Sequence, residues 1–292
     1  MTSAAPIHIA LTFDDNFWAP AYATMRSVCL ASRRPQTINF HLFYRTLSAA
    51  HRAEFDAIGK EFGATLIDYD LTAHQRFNDF LKGLSYHTKL TNLVYARLLL
   101  DELLPQGIDR LIYLDCDIFV RGPIEDLAEL DLQGKAIGAV LDAGRHKQML
   151  GHDLRQNLDL FDFHFAYFNA GMLVIDRKAF AAANLPEQTR LLHESGALSR
   201  IQYDQAILNL VFKDNWLPLD FRWNLICPSP EHEMLEPQLL HYTGHKKPWS
   251  LLSTAAFSKA YRHTMTNAIF YRFWRERVKR RLGKPLRKLL GR

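Results

Sequence analysis

Asp115 and Asp117 stand one residue apart, directly after the apolar run Leu111-Ile112-Tyr113-Leu114. Residues i and i+2 of an extended strand point the same way, so the pair is expected to leave a buried strand with both carboxylates on one side. Two carboxylates held that close repel unless a cation lies between them or one is protonated. Oxygen donors suit Mg²⁺ or Mn²⁺, ions that usually complete their coordination with substrate phosphates. Asp-x-Asp is a short pattern that also arises by chance, and Asp68-Tyr69-Asp70 is a second instance, read as an ordinary strand end. A second constellation is His241-Tyr242-Thr243-Gly244-His245-Lys246-Lys247-Pro248-Trp249. An imidazole at a strand end could supply the remaining ligand and favours Mn²⁺ over Mg²⁺. Gly244 would let backbone N–H groups approach a phosphate, and Lys247 would meet its charge; a surface turn with solvated lysines is the plainer alternative. The third group is Asp204-Gln205 at a helix start, with Phe168-Asn169-Ala170-Gly171. Asp204 is there equally a helix cap, and Arg97 is as easily a helix-surface arginine as a phosphate ligand.

Such residues need a scaffold that gathers strand ends. Apolar runs of strand length at Ile7–Phe13, Ile38–Tyr44, Thr65–Tyr69, Arg110–Leu114, Ala136–Leu141, Gly171–Ile175 and Leu239–Tyr242 alternate with helical patterns. The helical patterns cover Tyr22–Ala31, Ala49–Phe62, Leu90–Leu104, Lys178–His193 and Asp204–Phe212. This alternation predicts an α/β fold with a mixed, mainly parallel central sheet covered on both faces. Ligands of open α/β sheets bind at the carboxyl ends of strands. Asp14, Asp15 and Asn16 follow the first strand, Asp142 follows the run ending at Leu141, and the last run carries His241. No Gly-x-Gly-x-x-Gly and no Walker-type loop follows any strand, which argues against dinucleotide and P-loop chemistry.

Of 292 residues, 48% are hydrophobic and 23% charged, a globular composition. No apolar run reaches the roughly 18–20 residues of a membrane span. The start has no basic leader region, so no secretory signal is expected. Cys29, Cys116 and Cys227 lie too far apart for a disulfide framework or a zinc site. The expectation is a cytoplasmic protein. Its charge is uneven: residues 271–292 hold ten Lys or Arg and one acid, Glu276, while the remainder carries a net −4.

Together the motifs Leu111-Ile112-Tyr113-Leu114-Asp115-Cys116-Asp117, Phe168-Asn169-Ala170-Gly171, Tyr203-Asp204-Gln205 and His241-x-x-Gly244-x-x-Lys247-Pro248-Trp249 resemble glycosyltransferase family 8 in order and spacing. The resemblance runs from about Ile7 to Trp249 and is greatest to bacterial lipopolysaccharide galactosyl- and glucosyltransferases. It implies a GT-A fold, a UDP-sugar donor, a Mn²⁺ ion (with Mg²⁺ as the alternative) and retention of anomeric configuration. Carried over by position, it makes Asp115, Asp117 and His241 metal ligands, sets Asp14 and Asn16 at the uridine, and gives the diphosphate to Gly244 and Lys247. Arg97, Asn169, Asp204 and Gln205 would surround the donor sugar, with Asp142 toward the acceptor. The chain departs from the pattern at Ala206, where many bacterial members carry another acid, so the resemblance does not extend to the identity of the sugar. Retention needs a covalent nucleophile or same-face delivery of the acceptor; Gln205 is neutral and a poor nucleophile, Asp204 a better one.

Two other readings compete. Haloacid-dehalogenase-type phosphatases also carry Asp-x-Asp after an apolar strand, but want Thr or Val where Phe119 stands. A non-catalytic lipid- or nucleic-acid-binding protein would work through the basic tail alone. The acidic body argues against nucleic acid. The expected division is a catalytic domain over 1–266 and a basic amphipathic tail over 267–292. In the tail, Phe270, Trp274, Val278, Leu282, Leu286 and Leu290 recur every fourth residue, with Phe273 and Leu289 beside them. That spacing makes an apolar stripe opposite a cationic face, suited to an anionic membrane surface, with a break expected at Gly283 and Pro285. The enzyme would then sit peripherally on the inner face of the cytoplasmic membrane, near a saccharide or glycolipid acceptor.

Overall fold

The computed structural model describes residues 5–82, 84, 92–142, 157–161, 164, 166–201 and 203–289, the last seven as backbone only. Its centre is a seven-stranded sheet in the order β3-β2-β1-β4-β7-β6-β8. The strands are β1 (Ile7–Asp14), β2 (Ile38–Arg45), β3 (Thr65–Asp70), β4 (Arg110–Leu114), β6 (Ile137–Leu141), β7 (Phe168–Asp176) and β8 (Trp216–Pro218). β1 runs parallel to both β2 and β4, whereas β7 is antiparallel to β4 and β6. A three-stranded sheet pairs β10 (Leu239–His241) with β5 (Ile118–Val120) antiparallel and β9 (Leu225–Ile226) parallel.

Both faces of the large sheet are buried at its centre, whereas the edge strand β3 has no buried residue. Ile9, Leu11 and Phe13 of β1 pack into one core with α1 (Trp18–Ala31), while Ala10 joins a second core with Tyr113 and the helices of the opposite face. Two-sided burial explains why β1 and β4 read as apolar runs rather than as alternating patterns. The helix α2 (Ala49–Phe62) starts where the Ser48 hydroxyl accepts from His51 N–H and stops at Gly63, whose φ of 75° suits a residue without Cβ.

Local winding departs from expectation in four places. The pattern from Leu90 begins outside the described residues; Asn92–Leu99 is a 3-10 helix and only Leu100–Leu103 is α-helical. The tight segment carries Arg97 buried against the sheet rim. The single helix expected over Lys178–His193 is two, Arg177–Ala182 and Leu185–Glu194, because Asn184 is left-handed (φ 46°) and Pro186 has no N–H to continue the ladder. The strand expected from Gly171 starts at Phe168, so Asn169 lies inside it. The terminal helix, Asn267–Leu289, runs through Gly283 and Pro285; a missing proline N–H removes one rung while the bonds on either side carry the helix on.

That terminal helix is packed on the body at its start. Ile269, Phe270 and Phe273 are buried in the β1–α1 core. Glu276 accepts from Trp18 Nε1 at 3.0 Å and lies 3.2 Å from His51 Nε2, whose Nδ1 is 2.7 Å from Asp15. Arg280 donates to Asn16 Oδ1. Two apolar residues of the expected membrane stripe therefore face protein. Leu282 is exposed, and the side chains of Leu286, Leu289 and Leu290 lie outside the described set.

Candidate active site

The chain winds β1, β2, β3 outward and then returns to the other side of β1 as β4, which opens a crevice beyond the carboxyl ends of β1 and β4. Asp14 ends β1 and Asp115 follows β4. Because β7 is antiparallel to β4, its first residues reach the same rim: Leu114 pairs with Met172, and Asp115 N–H donates to Gly171 O at 2.7 Å. The small sheet brings His241 to the same place, since His241 pairs with Ile118 and Tyr242 N–H donates to Asp117 O at 3.0 Å.

Asp115 and Asp117 do not project from a strand as their spacing suggested; they occupy the turn between β4 and β5. The turn nevertheless aims both at one point. Ligand atoms of Asp115, Asp117 and His241 all lie within 4.8 Å of one another. His241 Nε2 is 3.1 Å from Asp117 Oδ1 and 3.7 Å from Asp115 Oδ2. Lys247 Nζ donates to Asp117 Oδ2 at 2.7 Å and also to Tyr242 O. Burial alone would raise the Asp117 carboxyl, but His241, while its Nε2 carries hydrogen rather than facing a cation, and Lys247 outweigh it and hold the group well below the usual carboxylate range. Gly171 makes the convergence possible: a Cβ there would lie 2.1 Å from His241 Cε1 and 2.9 Å from Asp115 Oδ2. Two carboxylate oxygens and one imidazole nitrogen in a cradle that a single methyl would fill can hold a divalent metal ion.

Beside this cluster lies a buried polar network. Arg97 Nη2 donates to Asp115 Oδ1 (2.7 Å) and Nη1 to Ala170 O (2.6 Å), with the guanidinium over the Tyr113 ring. Its Nε sits 2.6 Å from Asp204 Oδ2, a close ion pair off the line of a hydrogen bond. Burial pushes the Asp204 carboxyl up, with Arg97 opposing. The helix Tyr203–Val211 begins with Tyr203 in left-handed backbone (φ 57°) and presents Asp204 and Gln205 in its first turn. Gln205 Oε1 accepts from Ala170 N–H (3.1 Å) and Asn169 Nδ2 (3.2 Å), and Gln205 Nε2 donates to Asp142 Oδ2 (3.2 Å). Asp142 Oδ1 is buried with no hydrogen-bond partner among the described residues.

The geometry thus joins Arg97, Asp115, Asp117, Asp142, Asn169, Asp204, Gln205, His241 and Lys247 in one contiguous cluster. Asp14 and Asn16 stand at the end of the neighbouring strand, tied to each other by Asn16 N–H on Asp14 Oδ1 (2.8 Å). Gly244 sits in the loop after His241, where an added Cβ would meet only Cys227 Sγ, at 3.4 Å. Asp68 and Asp70, the other Asp-x-Asp, are spent on Arg52 and on Thr72 N–H at the edge strand β3. Two members of the cluster were not expected. Tyr113 donates its hydroxyl to Asp115 Oδ1 (3.0 Å), and Asn224 lies between Asn169 and His241. The only sequence signal for Asn224 is an amide in the otherwise apolar stretch Trp223-Asn224-Leu225-Ile226.

The family model of glycosyl transferase family 8 matches residues 8–252. The chain is 25% identical over 259 residues to the lipopolysaccharide 1,3-galactosyltransferase of Salmonella typhimurium, covering 85% of this chain and 74% of that protein. It is 24% identical over 245 residues to the glycosyltransferase GlyA of Streptococcus pneumoniae, covering 82% of this chain but 32% of GlyA, so it spans about a third of that relative's length. Among solved structures, galactosyltransferase LgtC in complex with donor and acceptor sugar analogues matches with a TM-score of 0.69 at 25% identity, over 89% of this chain and 95% of LgtC. The fold is GT-A, as in LgtC. With the match spanning every element that builds the cluster, from β1 to the loop after His241, the chain belongs to glycosyl transferase family 8.

Proposed function

We propose that the protein is a retaining, Mn²⁺-dependent glycosyltransferase that moves a hexose, galactose or glucose, from a UDP-sugar to a saccharide acceptor such as lipopolysaccharide or another cell-surface glycan. The observation that carries this reading is the convergence of Asp115, Asp117 and His241 beside the Arg97–Asp204–Gln205 network. A divalent cation held by those three ligands supplies counter-charge for a diphosphate leaving group. Lys247 adds a second positive charge on the same side, Gly244 leaves room for the phosphates, and Asp14 and Asn16 receive the uridine. Asn169, Arg97 and Asp204 line the donor-sugar side, with Asp142 offering its free oxygen to a hydroxyl.

In the transfer, the bond between the anomeric carbon and the diphosphate oxygen breaks, the electron pair leaving with the phosphate. The acceptor oxygen then bonds to that carbon on the same face, and its proton passes to the departing phosphate oxygen. Three contacts support this route over a covalent intermediate. The Gln205 carbonyl oxygen already accepts two hydrogen bonds, and Asp204 is held by Arg97. Gln205 is then a residue that steadies charge at the anomeric carbon without bonding to it.

The basic end of the terminal helix, beyond its packed start, would hold the enzyme peripherally at an anionic membrane on the cytoplasmic side, near a glycolipid acceptor. Among the described residues no helix is long and apolar enough to cross a membrane. Incubation with Mn²⁺ and a panel of UDP-sugars, with release of UDP measured before and after chelation, tests the catalytic reading. Turnover that appears only with metal and is lost in Asp117→Ala is expected. Full turnover in the chelated protein, or none with any UDP-hexose, would sink it.

A further inference from the structure

Asn224 ends the 3-10 turn Phe221–Asn224 and is buried. Its Nδ2 donates to Asn169 Oδ1 at 2.8 Å, and its Oδ1 faces His241 Nδ1 at 3.0 Å. Each orientation along this chain is forced by the one before it. Gly171 N–H, a permanent donor, points at Asn169 Oδ1 (3.0 Å), so that atom must be the carbonyl oxygen. The Asn224 atom facing it must be the NH₂, which leaves the Asn224 carbonyl facing the imidazole. His241 Nδ1 must then carry hydrogen, and a neutral ring with its proton on Nδ1 presents a lone pair at Nε2. Nε2 is the atom beside Asp115 Oδ2 and Asp117 Oδ1.

We infer that Asn224 is a positioning residue: it sets the His241 tautomer that can ligate a cation and ties that ring to the sugar side of the site. The tie runs onward through Asn169, whose Nδ2 donates to both Gln205 Oε1 and Asp142 Oδ2. A histidine that ligates a metal commonly has its second nitrogen held by an outer partner, and loss of that partner costs roughly 10–100-fold in affinity or activity. Here the outer partner is an amide, which has a second end and spends it on the residue next to Gln205. This role rests on the reading of Asp115, Asp117 and His241 as the metal site.

The test titrates Mn²⁺ into the full chain without donor, following free Mn²⁺ by electron paramagnetic resonance, alongside UDP-sugar turnover and thermal unfolding. Asn224→Ala removes both ends of the amide and is expected to weaken Mn²⁺ binding by roughly 10–100-fold, with turnover lost as well. Asn224→Asp keeps an acceptor for His241 Nδ1–H but sets its other oxygen against Asn169 Oδ1. It should hold Mn²⁺ within about threefold of wild type while turnover falls at least about tenfold, because only the sugar-side link is broken. Wild-type Mn²⁺ affinity in Asn224→Ala would overturn the assignment. If that variant does not fold, Asn224→Asp decides alone: affinity kept with turnover lost supports the role, and both kept or both lost refutes it. A wild-type chain that takes up no Mn²⁺ overturns the metal site, and this role with it, and is distinct from a defect confined to the Asn224 variants.

Discussion

Gly171→Ala is the smallest change that should disable the proposed metal site. The backbone at Gly171 has no positive φ, so alanine meets no conformational penalty there and its whole effect is collision. The new methyl would stand 2.1 Å from His241 Cε1, 2.8 Å from Nδ1 and 2.9 Å from Asp115 Oδ2. Ordinary carbon–carbon contact is about 3.5 Å, so the ring must retreat by at least about 1 Å. Metal–ligand distances tolerate only about 0.2 Å, so His241 would leave the coordination set and Mn²⁺ affinity should fall by more than about tenfold. A misplacement of about 1 Å at a reacting centre costs on the order of 100-fold in turnover. Overpacking also destabilises by about 1–3 kcal/mol. Gly138→Ala separates the two effects. Its Cβ would press on Leu132 Cδ2 at 2.9 Å, within β6, so it should lose stability while Mn²⁺ affinity is unchanged. Manganese titration of both variants, paired with denaturant unfolding, is the assay. Gly171→Ala with wild-type Mn²⁺ affinity, or Gly138→Ala with an equal loss, would refute the reasoning.

Gln205→Ala should lower turnover far more than UDP affinity, because its contacts lie with Asn169, Ala170 and Asp142 rather than with Asp115, Asp117 or His241; isothermal titration with UDP and steady-state rates compare the two, and equal losses would show the residue misplaced. His41, buried between His8 Nδ1 and Tyr69 OH at 2.9 Å each, has its pKa pushed down to about 4, chiefly by burial and then by the His8 and Arg177 charges. Above its ordinary value of 6.5 neither state holds the proton; below it the unfolded chain takes up a proton that the folded chain refuses until about 4. Stability should therefore fall with pH across that window by up to about 1.4 kcal/mol per unit, and urea midpoints for His41→Gln should fall less steeply. Truncation after Val278 keeps Ile269, Phe270, Phe273 and Glu276 and should abolish sedimentation with anionic vesicles at low salt without loss of folding, whereas truncation after Thr266 also strips the buried Ile269, Phe270 and Phe273 at roughly 1.5–3 kcal/mol each; vesicle binding by the chain cut after Val278 would remove the tail as anchor.

The central strands were legible because two-sided burial leaves continuous apolar runs at Ile7–Phe13 and Leu111–Leu114, and the acids that follow such runs mark the rim. His241 was legible for the same reason, as the last residue of a buried strand. The projection of Asp115 and Asp117 was not: Ile118–Val120 turns back to pair with β10, and a three-residue strand has too few side chains to declare a period. Asn224 carried no spacing signal because its role depends on where three remote segments meet. The terminal helix was misread at its start for a different reason. A stripe of Phe270, Phe273 and Trp274 has the same period whether it faces lipid or protein, and only the partner surface, here Trp18 and its surroundings, decides between them.

A helix of 23 residues is about 35 Å long, and this one is pinned along its first four turns by buried aromatics, Glu276 and Arg280. A disordered tether would let the crevice sample every orientation within its reach. A pinned helix behaves as a strut instead. Whatever holds its far end also fixes the direction in which the mouth of the crevice points, because the pins fall on Trp18 and Asn16, just beyond β1. A glycine-rich insert after Val278 would leave reach intact and destroy that aim, so attachment and orientation become separable properties of the same helix.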